Sequence, residues 1–247
     1  MSGQPTPPRI VEAFAKNATV CTPAAPVPGG KTSPFPAPTQ TGVTPGAASL
    51  FDGFPPLNMT DPLSGGVPPF GVDMNGILYL LSSWVAFLGA GQLPLYDATL
   101  QTAMSGYAQG AVLQQAADAT ATWTSSTAAN VTDPDTGGAG WISSKPLFAT
   151  VTPTAGAHNN VVLPGPSDYV LAVDTTAGAS DWTGIVAQRD GQRLTFVVTG
   201  ANNFTLDSLN AGSTTANRIQ VPTDISLVTN QSFTIQYSTG LTKWVQA

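Results

Sequence analysis

Fifteen of the 22 prolines in this 247-residue chain fall before position 71, and that clustering decides what the first third can fold into. Each proline removes an amide donor, fixes its own φ and pushes the preceding residue out of the α region. A segment interrupted this often forms neither a long helix nor a central strand, so residues 1–71 are expected to be an extended, wrapping arm. Apolar side chains are spaced along it at Ile10, Val11, Phe14, Phe35, Leu50, Phe51, Phe54, Leu57 and Phe70. Those anchors need a surface to cover, which favours an ordered arm clamped onto a partner or onto neighbouring subunits over a flexible linker.

Charge is scarce throughout. Eight Lys and Arg and 14 Asp and Glu make up 9% of the residues, against about 25% in ordinary soluble domains. The net charge is −6 and the basic residues are scattered, so nucleic acid is excluded as a partner. Cys21 is the one cysteine and His158 the one histidine. No intrachain disulfide can form, a zinc site lacks its ligands, and a serine nucleophile lacks its base. The aspartates sit mostly in turn contexts such as Asp190-Gly191 and Asp133-Pro134, where backbone reasons alone favour them, so a paired-carboxylate glycosidase is not expected. Residues 133–138 place two carboxylates beside glycines but lack the further oxygen ligands of a calcium loop, and read as a turn. The expectation is therefore no catalytic residue, no metal and no cofactor. Residues 1–20 carry no apolar secretory core, so synthesis in a cytoplasm is expected.

Residues 72–106 form a helical segment. Ile77, Leu78, Leu80, Leu81, Trp84, Val85, Phe87 and Leu88 make the helix apolar on nearly every side, which demands burial all round. Asp73 is the expected N-cap, and Gly89 and Gly91 the stop. Burial among sibling helices of an oligomer is the preferred reading. The alternatives are a core within one subunit and membrane penetration, the last disfavoured because the run falls short of the ~20 apolar residues of a span. Phe51, Phe54, Ile77, Leu78, Leu81, Trp84 and Leu88 are the candidate oligomer and attachment interface. A second short helix is expected from a cap at Asp97 to a stop at Gly106.

Residues 107–145 read as a small β unit, with strands at 110–115 and 121–125 and a loop running to Trp141. Its aromatics Tyr107, Trp123 and Trp141 are its core or, alternatively, a small carbohydrate-binding face. Residues 146–247 carry short alternating segments such as Arg193-Leu194-Thr195-Phe196-Val197-Val198 and Ser232-Phe233-Thr234-Ile235-Gln236-Tyr237, as half-buried antiparallel strands require. The fold class expected is mainly β, with a C-terminal β-sandwich or jelly roll and no internal repeat. Recognition chemistry remains: amide, hydroxyl and aromatic side chains suit neutral glycans or protein surfaces. Tyr169, Trp182, Asn202, Asn203 and Asn210 are the candidate receptor-binding residues.

The ordered series Gly46-Ala47-Ala48-Ser49, Gly53-Phe54-Pro55-Pro56, Gly65-Gly66-Val67-Pro68-Pro69, Gly71-Val72-Asp73-Met74-Asn75-Gly76-Ile77-Leu78, Ala90-Gly91, Tyr96-Asp97-Ala98 and Gly106-Tyr107-Ala108-Gln109-Gly110-Ala111-Val112-Leu113 resembles the tail-attachment region of tailed-bacteriophage tail fibre proteins. The stretches Gly191-Gln192-Arg193-Leu194-Thr195-Phe196 and Tyr237-Ser238-Thr239-Gly240-Leu241-Thr242-Lys243-Trp244 resemble the β-rich tip domain of such fibres. The resemblance implies a virion protein that is a homotrimer, bound to the tail or baseplate by its N-terminal region and touching a bacterial surface glycan or protein with its C-terminal domain. It lacks the long repetitive shaft of large fibres, which implies a short fibre. A baseplate or collar adaptor and a short polysaccharide-depolymerase tailspike are the alternatives. Neither membrane insertion nor an enzymatic activity is expected.

Overall fold

The computed structural model describes residues 53–247 together with residue 15 and the stretches 17–21, 29–32 and 45–49. It divides into two compact units, Met1–Leu93 and Pro94–Ala247. Of the proposed arm anchors, Ile10, Val11, Phe14, Phe35, Leu50 and Phe51 lie outside the described residues.

In the first unit, β1 (Val20–Cys21) pairs in parallel with β2 (Lys31–Thr32), and β2 lies against the one long helix, α1 (Gly71–Gly89). The proline rule holds where it can be checked, since residues 53–70 contain only short 3-10 turns at Pro56–Met59 and Pro62–Ser64. Asp73 does not cap α1. The helix begins two residues earlier, behind Phe70, and the fully buried Asp73 carboxylate instead accepts a hydrogen bond from the Ala48 amide at 2.9 Å. Asn75 Nδ2 donates to the Gly30 carbonyl at 2.8 Å, and the Lys31 ammonium lies 3.7 Å from the Tyr79 ring centre. The polar residues at the start of α1 thus tie down pieces of the proline-rich arm. The stop falls where the glycines put it, with Gly91 at φ +80° donating back to Leu88.

The second unit opens with α2 (Ala98–Ala103), where Asp97 accepts from the Leu100 amide at 2.8 Å as the expected cap. An antiparallel meander follows, made of β3 (Val112–Gln114), β4 (Thr122–Ser125) and β5 (Trp141–Ser143). Tyr107, Leu113, Trp123 and Trp141 form its buried core, so these aromatics do not make a carbohydrate-binding face. The indole Nε1 atoms of Trp123 and Trp141 donate to Asp135 at 2.8 Å and to the Thr132 carbonyl at 2.9 Å. The carboxylates of the 133–138 loop are spent on protein donors, because Asp133 accepts from the Asp135 amide within a 3-10 turn.

From Leu147 onward come β6 (Leu147–Val151), β7 (Gly156–His158), β8 (Tyr169–Val173), β9 (Ser180–Trp182), β10 (Arg193–Val198), β11 (Phe204–Leu206), β12 (Ile219–Gln220), β13 (Ile225–Leu227), β14 (Ser232–Ser238) and β15 (Lys243–Gln246). They build a six-stranded sheet in the order β12-β15-β14-β10-β8-β6 and a four-stranded sheet in the order β13-β11-β9-β7. The pairings overturn the expected antiparallel sandwich. β6, β8 and β10 are parallel neighbours in one sheet, and β7, β9 and β11 are parallel neighbours in the other. The chain alternates between the sheets, so each pair of strands is one coil of a β-solenoid-like stack. Successive coils align Leu147 with Tyr169 and Leu194, Ala149 with Leu171 and Phe196, and Val151 with Val173 and Val198. The antiparallel strands β14 and β13 then cover β10 and β11.

Alternation marks these strands, but it does not fix the sense of pairing. Both sheets turn one face to a common core. Trp182 from β9 meets Phe196 from β10 and Phe204 from β11 edge-on, with ring centres 5.6 and 5.5 Å apart. Between β7 and β8, Val161 makes a single parallel bridge with Ile185.

Candidate functional site

The candidate residues among the described ones lie on α1 and in the strands and loops of the solenoid-like stack. On α1, Leu81 (58%), Trp84 (50%), Val85 (50%) and Leu88 (54%) are half exposed, and Leu78 and Leu80 are exposed as well. Ile77 is only partly covered. Tyr79, Leu80, Ser83, Trp84 and Phe87 line a groove of about 270 Å³, held open by the edge-on contact of Trp84 with Phe87 at 5.5 Å. Ser82 and Ser83 turn their hydroxyls back onto the carbonyls of Leu78 and Tyr79, both at 2.6 Å, which hides their polarity within the helix. Phe54 is half-buried in the loop before α1, and Phe51 lies outside the described residues. By length and composition α1 is long and apolar enough to cross a membrane, with 17% of the segment buried.

The candidate receptor residues divide sharply. Tyr169 and Trp182 are 5% and 3% exposed and belong to the core, because the phase of alternation in β8 and β9 turns both rings inward. Burial also pushes the Tyr169 phenol above its usual range. Neither ring is available to a ligand. Asn202 is half-buried and donates from Nδ2 to the Thr175 carbonyl at 2.7 Å, which fastens the 199–203 loop to the turn after β8. Asn210 donates to Asp207 at 3.0 Å and accepts from the Gly212 amide at 2.8 Å, shaping its own turn. Only Asn203 presents an exposed side chain. The structure therefore does not gather these five residues into one site.

The charged groups of the stack are mostly engaged. Arg189 pairs with Asp168, and Lys145 pairs with Asp118 at 2.8 Å, holding that carboxyl far below the usual range with help from Thr120. The Asp207 carboxyl is pushed upward, first by desolvation and then by the charges of Asp181 and Asp224. His158 ends β7 with Nε2 2.9 Å from the Thr154 carbonyl, in keeping with a structural loop role. Among the described residues no group of three or more His, Cys, Asp or Glu side chains is arranged to hold a metal ion.

The outer face carries one further feature that alternation alone does not reveal. A cleft of about 330 Å³ opens on the six-stranded sheet, lined by Pro146, Asp168, Val170, Arg193, Thr195 and Thr234 together with Tyr169 and Ala247. The signal was present in the polar half of the alternation in β10 and β14, but which outward residues become neighbours depends on strand order. No family model, curated protein or solved structure matches this chain.

Proposed function

We propose that this chain is a structural virion protein, a short homotrimeric tail fibre of a tailed bacteriophage. Its N-terminal region attaches to the tail or baseplate, and its C-terminal domain recognises the bacterial surface. The observation that carries the assembly is the bare apolar side of α1. Leu78, Leu80, Leu81, Trp84, Val85 and Leu88 are each between 38% and 58% exposed. Covering the remainder is worth about 1 kcal/mol per side chain, or about 6 kcal/mol for each chain, taking about 1.5–3 kcal/mol for full burial. Contiguous apolar surface of this kind marks an interaction site, and a closed ring of identical copies covers it without leaving a free end.

A bilayer is the poorer cover. Asp73, Asn75 and Tyr79 hold polar arm segments against the first half of the helix, and a span would drag them into hydrocarbon. From Leu80 to Leu88 the helix rises only about 12 Å at ~1.5 Å per residue, under half of a ~30 Å hydrocarbon core. Arm segments laid against α1 agree with a region that wraps neighbours and binds a tail.

Surface recognition is tested with the purified full chain, fluorescently labelled and mixed with a panel of bacterial strains. Coating of a subset of strains, abolished by antibody against residues 146–247, is the expected result. Absence of coating across the panel overturns host recognition. An antibody that leaves coating intact moves attachment out of this domain and favours the adaptor reading.

The depolymerase reading is favoured by one observation, the parallel coils built by β6 to β11. Release of reducing ends from polysaccharide of a coated strain by the purified chain decides for it.

A further inference from the structure

The cleft on the outer face of the six-stranded sheet combines groups that seldom meet on a chain with so few charges. Register puts Val170 beside Thr195, and Thr195 beside Thr234, whose hydroxyls hydrogen-bond to each other at 2.9 Å. Each hydroxyl keeps unused capacity, because a hydroxyl has one donor and two acceptor sites. Asp168 stands at the start of β8, and its Oδ1 takes the Arg189 guanidinium and, at 2.9 Å, the Arg193 amide. That neutralises Arg189 and fixes the start of β10.

Arg193 itself is different. Its side chain is exposed and lines the cleft, while its guanidinium meets no hydrogen-bond acceptor among the described residues. Most of the other described cations are engaged: Lys31 on the Ala15 carbonyl, Lys145 on Asp118, Arg189 on Asp168 and Arg218 on the Ser213 carbonyl. A planar fork of donors beside two hydroxyls fits a carboxylate in bidentate fashion.

We propose that this cleft is a binding site for a saccharide bearing a carboxylate, a uronic-acid-type sugar. Arg193 holds the acid group, and Thr195, Thr234 and Asp168 meet ring hydroxyls. The apolar part of the wall comes from Pro146, Val170, Tyr169 and Ala247, beside the polar groups of Asp168, Arg193, Thr195 and Thr234. The volume, about 330 Å³, lies at the small end of the ~300–1,000 Å³ range of ligand clefts, which suits a sugar unit or two of a longer chain passing over an open sheet face. The inference deepens the proposed surface recognition by naming its ligand class, and rests on that reading for its biological setting. The cleft's chemistry is tested separately.

Calorimetric titration of the full chain with pentagalacturonate, and with maltopentaose as the uncharged control, is the test. Saturable binding of pentagalacturonate is expected, weakened at least tenfold in Arg193→Gln and several-fold in Thr195→Val. The neutral chain should bind at least tenfold more weakly. An unchanged thermal midpoint in Arg193→Gln shows that a loss is not unfolding. No saturable binding by the parent chain, equal binding by Arg193→Gln, or equal binding of maltopentaose each overturns the assignment. Strain coating by Arg193→Gln separates the two readings: coating equal to the parent sinks the cleft's part in surface recognition and leaves that recognition standing, whereas a parent chain that titrates pentagalacturonate but coats no strain sinks the recognition role and leaves the cleft.

Discussion

Phe196 and Phe148 provide the sharpest test of the coil arrangement, because they lie in one sheet on coils separated by β8 and face opposite ways. Phe196 is fully buried and packs against Trp182 and Phe204, with ring centres 5.6 and 5.4 Å away. Phe148 in β6 pairs with Val170 on the outer face and is 72% exposed. Truncating a buried phenylalanine costs about 3–5 kcal/mol, and two ring partners place Phe196→Ala in the upper part of that range. At ~2–4 °C per kcal/mol for a domain of this size, its midpoint falls by about 10–15 °C. Phe148→Ala removes a side chain that already meets water, so the change stays within about 0.5 kcal/mol. Thermal and urea unfolding followed by tryptophan fluorescence measure both variants, at one fixed protein concentration so that association does not enter the difference. A one-residue slip of register would exchange inside and outside for the whole strand. Similar losses for the two variants, or a larger loss for Phe148→Ala, would refute the inward stacks of Ala149, Leu171 and Phe196.

Three further outcomes are expected. Asp73→Ala strips the buried Ala48 amide of its acceptor, costing about 1–3 kcal/mol, and limited proteolysis should then cut before residue 49 sooner than in the parent chain. Gly200→Ala would set a Cβ 2.2 Å from the Thr175 backbone nitrogen, so the 199–203 loop must shift at a cost of about 1–3 kcal/mol, read as a lowered urea midpoint. Asp207 carries a carboxyl raised by desolvation and then by Asp181 and Asp224; the folded state holds that proton more tightly than the unfolded chain, so its contribution is favourable at low pH and is lost as pH rises through the folded value. Asp207→Asn should therefore stabilise the protein at pH 7 by no more than about 1 kcal/mol, with no gain at about pH 3, where both states are protonated. Equal effects at both pH values would refute that cause.

Local chemistry was legible wherever one segment decides the outcome. The cap at Asp97, the stop after Gly89, the aromatic core of the small meander and the alternating strands at 193–198 and 232–238 all follow from residues close in sequence. Coil topology was not legible. Aligned positions lie 22 and 25 residues apart in one sheet, from Leu147 to Tyr169 to Leu194, and 24 apart in the other, from Gly156 to Ser180 to Phe204. Apart from Val151, Val173 and Val198, no aligned position keeps one residue type through all three coils, so the repeat is not visible in the text of the sequence. Strands of three residues such as Ser180–Trp182 are too short to fix which face is inward, and for this reason Trp182 read as a display residue. Asp73 has the composition of a cap, yet its partner Ala48 lies 25 residues away, beyond the reach of any local rule. The cleft around Arg193 needs three strands in a particular order, which alternation alone does not supply.

Sedimentation equilibrium of the full chain at micromolar concentration addresses the proposed assembly most directly. A mass three times the 25.2 kDa of one chain, falling to that of a single chain in the double variant Leu81→Asp with Leu88→Asp, is the predicted result. A parent chain that stays at 25.2 kDa, or a double variant that keeps the triple mass, would contradict burial of α1 between identical copies.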